Sequence, residues 1–180
     1  VKRIVLLCVF FLSACALFPH KVSHIRWPDN IEYLEALCEL DMSWKNMKYS
    51  GSMSLIIEYP DKLHMEVYSP FGDTIVYLNR DRESFLSISE DERITEEKRF
   101  EEKFGIKLND FIDDIVMKRY KNRMPGESYI QRGYYRVIYT LNPDENKICW
   151  EGMDGRICMK FIEARFNREE AIGKGRNRGM

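Results

Sequence analysis

Residues 29–45, DNIEYLEALCELDMSWK, decide the fold class, because they read as one helix. Asp29 stands at a capping position with Glu32 three residues on, the pattern of a capping box. Ile31, Leu34, Leu37, Cys38 and Met42 then share a helical stripe that continues to about Lys45. A helix here, ahead of strands and a later helical pair, makes the chain α+β.

Downstream the period changes to two. Met53, Leu55, Ile57 and Tyr59 alternate with polar or oppositely facing residues, and Leu63, Met65 and Val67 repeat the alternation. Residues 73–78 and 83–88 are two further short strands around the turn-rich 79–82. Helical spacing returns at 99–104, which ends at Gly105, and again from about Asn109. Leu108, Phe111, Ile112, Ile115 and Val116 form its apolar face, with Asp110, Asp113 and Asp114 opposite. Met124-Pro125-Gly126 breaks the pattern. Strands resume at 127–131, 134–141, 147–151 and 156–166. The expected architecture is an antiparallel β half-barrel of about 8–10 strands. An N-terminal helix and a mid-chain helical pair close it around an apolar cavity.

Upstream, Lys2 and Arg3 precede nine apolar residues, Ile4–Leu12, and then Leu12-Ser13-Ala14-Cys15. The apolar run is about half the ~20 residues a membrane-crossing helix needs. Small residues followed by Cys resemble a bacterial lipobox, so residues 1–14 read as a lipoprotein signal peptide and Cys15 as the lipidated residue. An ordinary secretory signal with an incidental Cys is the alternative. Residues 15–28 are then a tether and 167–180 a disordered basic tail. Ala16 is not the Asp that commonly marks inner-membrane retention, which favours the outer membrane and a periplasm-facing domain.

Of 28 basic side chains, Lys2 and Arg3 leave with the signal, so 26 face 29 acidic ones. No basic patch suits a phosphate backbone, and nucleic acid is excluded as a partner. Ten Phe, ten Tyr, three Trp and nine Met supply large, adaptable apolar side chains suited to a wide core or an apolar cavity. Around Gly152-Met153-Asp154-Gly155, a two-residue hairpin loop puts Cys149 opposite Cys158 on a non-hydrogen-bonded pair. A cross-strand disulfide is geometrically allowed there in an oxidising periplasm, and two free thiols are the alternative. Cys38 reads as an inert buried thiol.

Signals for catalysis are weak. His20 and His24 stand at i, i+4 without H-E-x-x-H or a third ligand, so no metal site is expected. There is no G-x-S-x-G, P-loop or G-x-G-x-x-G. The acidic run 90–102 fits a solvated face better than an acid/base pair. The expectation is a protein that is not an enzyme and needs no cofactor.

The segment Tyr68-Ser69-Pro70-Phe71-Gly72-Asp73-Thr74 joins two apolar strands through a Pro-x-Gly turn with a large apolar residue at its centre. Phe71 either folds back onto the sheet as core or protrudes as a membrane or partner contact. Lipobox, N-terminal helix, this turn with its following alternation (Thr74–Leu78), Ile94-Thr95-Glu96-Glu97 before the middle helices, and Met124-Pro125-Gly126 before the second strand set together resemble the LolB family. The likeness covers about residues 29–166. It implies an outer-membrane lipoprotein, monomeric and anchored through its N-terminal lipid. Such a protein receives lipoproteins from a periplasmic LolA-like carrier and holds acyl chains of lipoproteins or phospholipid. By the same token Pro70, Phe71 and Gly72 form a membrane-insertion loop.

Strand parity nominates the cavity lining. In the last hairpin Ile148, Trp150, Ile157, Met159 and Phe161 point inward. Leu55, Ile57, Met65 and Val67 join them from the first strand set, and Tyr135, Val137 and Tyr139 from the second. The alternative from another class is a structural or assembly lipoprotein whose core is filled by its own side chains and whose surface binds a protein.

Overall fold

The computed structural model describes residues 25–120 and 126–167. Cys15, most of the tether, the tail beyond 167, and Met124-Pro125 lie outside the described residues.

Residues 29–45 do not form the expected helix. They enter a twelve-residue strand, β1 (Tyr33–Trp44). The period there is two: Leu34, Ala36, Cys38, Leu40 and Trp44 are buried, while Leu37, Glu39, Asp41 and Ser43 are exposed. Leu37, counted on the helical stripe, lies on the outer face. Hydrogen bonding decides the matter, because β1 is paired along its whole length on both sides, with β2 (Met47–Glu58) and β10 (Gly155–Phe166). A half-helical apolar pattern cannot compete with two ladders and a buried face.

The other strands are β3 (Lys62–Tyr68), β4 (Thr74–Asp81), β5 (Ser84–Ser89), β6 (Arg93–Ile94), β7 (Gly126–Arg132), β8 (Tyr135–Leu141) and β9 (Asn146–Gly152). All ten form one antiparallel sheet in the order β6-β5-β4-β3-β2-β1-β10-β9-β8-β7. The sheet does not close, since β6 and β7 are its two edges. Two short helices, α1 (Glu97–Phe104) and α2 (Leu108–Ile115), complete the described structure. The chain is therefore mostly β rather than α+β, and no N-terminal helix closes a half-barrel among the described residues.

Both helices cover the inner face of the sheet. On α1, Phe100 packs on Phe85 of β5 and on Phe104, at ring separations of 5.4 and 4.5 Å. Gly105 ends α1 with a left-handed φ of 71°, which suits glycine. On α2, Phe111 stacks on Trp150 of β9 at 4.8 Å, with Ile112 and Ile115 fully buried beside it. Asp114 was expected on the solvated side of this helix, yet it is 1 % exposed. Its carboxylate accepts hydrogen bonds from Arg132 of β7 through both Nε (3.0 Å) and Nη2, and from Trp150 Nε1 at 3.1 Å. Arg132 Nη1 also donates to Asp110 at 2.9 Å, and Tyr139 Oη donates to the Asp114 carbonyl at 3.1 Å. This network ties α2 to β7 and β9, and removing Arg132 would leave the buried Asp114 carboxylate with Trp150 as its one remaining side-chain donor among the described residues. Burial is the largest effect on Asp114 and pushes its pKa up, to about 6, against the hydrogen bonds from Arg132.

Candidate functional site

The inner face is packed at one end and open at the other. A cavity of about 510 Å³ lies between the sheet and the α1–α2 segment. That falls inside the ~300–1,000 Å³ range of small-molecule sites. It is also about three times a ~150 Å³ apolar cavity known to admit benzene.

On β1–β4 and β10 the cavity takes inward residues toward one end of the strand and the core takes the deeper ones, while no described residue of β7, β8 or β9 lines it. On β1, Met42 and Leu40 line the space and Cys38 closes it. On β2, Met47, Tyr49 and Met53 line it and Leu55 follows as core. On β3, Val67 and Met65 give way to Leu63, and on β10, Ile157 and Met159 give way to Phe161. On β4, Val76 and Leu78 line the space, and the next inward residue, Arg80, is buried and paired through Nε to Glu97 of α1 at 2.9 Å. At about 3.3 Å per residue, the depth from Met42 to Cys38 is roughly 13 Å. The roof is Phe100 and Phe104 of α1, with Ile106, Leu108 and Phe111. Five methionines, at 42, 47, 53, 65 and 159, stand in the wall. Unbranched, polarizable side chains adjust to varied apolar shapes.

Gly51 occupies an inward position of β2 but offers no side chain. A Cβ there would lie 2.0 Å from Tyr49 Oη, so the tyrosine ring takes that space. Tyr49 Oη donates to the Tyr68 carbonyl at the end of β3, and burial raises its pKa.

Polar residues collect at the mouth: Asn46, Lys48, Ser89, Glu92 and Lys103. Lys103 Nζ donates to Glu92 at 2.6 Å, and Arg99 Nη2 to the other carboxylate oxygen at 2.9 Å. The Lys103 hydrogen bond, with the charges of both cations, lowers the Glu92 pKa. Lys45 Nζ donates to the Lys103 carbonyl at 2.6 Å, and Trp44 Nε1 to the Phe104 carbonyl at 2.9 Å, tying α1 to the β1–β2 turn. Among the described residues no group of three His, Cys, Asp or Glu stands close enough to hold a metal ion.

Of the nominated lining residues, Met65, Val67, Ile157 and Met159 reach the cavity. Leu55 and Ile57, like Tyr135, Val137 and Tyr139, point to the same inner face but are buried core. So are Ile148, Trp150 and Phe161. Parity found the face; it could not find which part of that face the helices leave uncovered. Met47 and Tyr49 share the parity of Met53 but lie beyond Gly51, whose missing side chain interrupts the apolar alternation that begins at residue 53. Phe100, Phe104 and Phe111 carried helical spacing but no sign that they would roof a void.

Phe71 does not fold back onto the sheet. It is 92 % exposed at the tip of the β3–β4 turn. The turn is held by hydrogen bonds to the Ser69 hydroxyl from the Phe71 and Asp73 amides, at 3.2 and 3.3 Å, and by Gly72 N–H to the Ser69 carbonyl at 2.9 Å. Gly72 supplies the φ of 93° that the turn needs, and Pro70 precedes it. In the β9–β10 hairpin Gly152 pairs with Gly155 and Cys149 with Cys158, and the two sulfurs are bonded across a Cα–Cα distance of 4.1 Å. Cys38 is a buried free thiol on β1, and burial raises its pKa strongly.

No family model matches this sequence, and no curated protein matches it significantly.

Proposed function

We propose that the protein holds acyl chains without covalent chemistry. In this reading it is a LolB-like lipoprotein anchored through Cys15 in the outer membrane and facing the periplasm. It takes lipoproteins from a soluble LolA-like carrier and passes their acyl chains into the bilayer. The observation that carries the reading is the apolar cavity of about 510 Å³ with five methionines in its wall and its charges confined to the mouth. Each buried methylene contributes about 0.8 kcal/mol, so a chain of ten gains roughly 8 kcal/mol before ordering costs. No polar anchor inside the cavity is needed for that. The exposed Phe71 on its internally bonded turn supports a role at the membrane.

The competing idea, a core filled by its own side chains, accounts for the packed half of the inner face and leaves the open half without a purpose. The test is transfer. Protein loaded with a fluorescent lipidated peptide releases it to acceptor vesicles, and Phe71→Asp slows release while leaving loading unchanged. Failure to load, or loading that never leads to release, contradicts the proposal.

A further inference from the structure

Strand register determines which turns share an end of the sheet. Trp44 faces Gly155, Tyr135 faces Gly152, Ser52 faces Tyr68 and Val76 faces Ser89. The turns after β1, β3, β5, β7 and β9 therefore lie along one rim, and those after β2, β4 and β8 along the other. On the first rim three of the five turns present a large apolar side chain to solvent. These are Phe71 (92 % exposed), Tyr134 (80 %) and Met153 (94 %). The turns of the opposite rim carry Pro60-Asp61, Arg82-Glu83 and Asn142-Pro143-Asp144-Glu145. The aromatic residues at that end, Tyr33, Tyr59 and Phe166, are half-buried, and Lys118 Nζ lies 4.8 Å from the Tyr59 ring centre.

Folding does not require this asymmetry. Gly133 and Gly155, with φ of 52° and 132°, supply the left-handed conformations of their turns. Tyr134 and Met153 satisfy no core contact that a polar residue would forfeit. The cavity mouth opens at the same end, at Asn46 and Lys48 between the turns of Phe71 and Met153, and at Glu92 in the turn after β5 on the other side of Phe71.

We propose that this rim docks on a lipid bilayer, with Phe71, Met153 and Tyr134 as three prongs that bring the cavity mouth to the membrane surface. The proposal rests on the acyl-chain reading of the cavity and extends its membrane contact from one loop to a whole end of the sheet. Spacing argues for a bilayer as the occupant. Strands lie about 4.8 Å apart, so neighbouring hairpins stand roughly 10 Å apart along the rim, and the turns of Phe71 and Met153 roughly 20 Å apart. Lys45, Asn46 and Asp154 separate the prongs, so there is no continuous apolar patch of the kind a protein partner covers. A fluid apolar phase accepts separate prongs wherever they fall, and tyrosine is at home at its boundary. The turns of this rim are net acidic, with Asp73, Glu90, Asp91, Glu92 and Asp154 against Lys45 and the nearby Lys48, so docking depends on the prongs and gains nothing from attraction to lipid phosphates.

The test uses the full chain reconstituted on vesicles that contain brominated phosphatidylcholine, whose bromine quenches nearby tryptophan. Met153→Trp and Tyr134→Trp each add a quenched signal beyond that of the native Trp27, Trp44 and Trp150. Pro143→Trp, on the far rim, adds none. Met153→Asp combined with Tyr134→Asp slows delivery of a loaded acyl probe about tenfold, from the apolar burial lost. Cavity occupancy is scored in the same preparations by crosslinking a photoactivatable fatty acid to the cavity wall. Tip quenching without crosslinking removes the acyl-chain reading and upholds docking. Crosslinking without tip quenching at 134 and 153, or equal quenching at 143, overturns the docking proposal.

Discussion

Val76→Asp tests the cavity at its wall. Val76 sits on the inner face of β4, between Val67 of β3 and Ser89 of β5, and is half-buried because the space beside it is open. In the empty protein a carboxylate there stays hydrated through the mouth, so the fold survives. With an acyl chain in place, that carboxylate either loses water or keeps the adjoining methylenes wet. If about three methylenes forfeit burial at about 0.8 kcal/mol each, the loss is ~2.4 kcal/mol and affinity falls roughly 50-fold. Leu86→Asp is the control. Leu86 is also half-buried, one strand away, but faces outward between the inward Phe85 and Ser87. The assay is a detergent-free titration with a fluorescent polyene fatty acid, alongside thermal unfolding of each variant. Folded Val76→Asp protein that binds the probe as tightly as the parent would refute the reasoning.

Three further outcomes follow from the geometry. Asp114 has a folded pKa raised to about 6, above the ordinary ~3.9, so its folded form takes up a proton before the unfolded form does. Its contribution to stability is therefore fully present below about pH 4 and is lost as pH rises through about 6. Urea midpoints should show the parent gaining roughly 2–3 kcal/mol on Asp114→Asn between pH 7 and pH 4, and a constant difference would contradict this. Gly155→Ala puts a Cβ 1.9 Å from the Ser43 carbonyl at φ 132°, whereas Gly133→Ala, at φ 52°, meets nothing within 4 Å. Denaturation should show a loss of about 3 kcal/mol or more for the first and about 1 kcal/mol for the second. Reducing Cys149–Cys158, which closes a loop with a sequence separation of 9, should cost about 2–3 kcal/mol by the same measurement, with a Cys149→Ser, Cys158→Ser double variant insensitive to reductant.

Most strands were legible because their alternation is local. The hairpin of β9 and β10 could be read to the residue, since Gly152 and Gly155 bracket a two-residue turn and set every pair behind it. Residues 29–45 misled for a physical reason. Leu34 and Cys38 are spaced i, i+4 and also share strand parity, so both periods claim them. Leu40 and Trp44, which complete the strand face, are the residues that the helical stripe left out. What settles the choice is pairing with β10, more than a hundred residues away in sequence, and no local pattern carries that. The Asp114–Arg132 pair was hidden for a similar reason. Asp114 is three residues from Phe111 and adjoins Ile115, at the border of the apolar stripe. Only docking on β7 and β9 decides that it is buried. The cavity itself is a place where side chains fail to meet, and its one local trace is the methionine content.

The most direct measurement is native mass spectrometry of the chain from residue 16 onward, secreted to an oxidising periplasm and purified without detergent. The account predicts added mass that matches fatty acid or phospholipid in the parent and is greatly reduced in Val76→Asp. A parent protein that is apo, and stays apo after incubation with lipidated peptide, would contradict it.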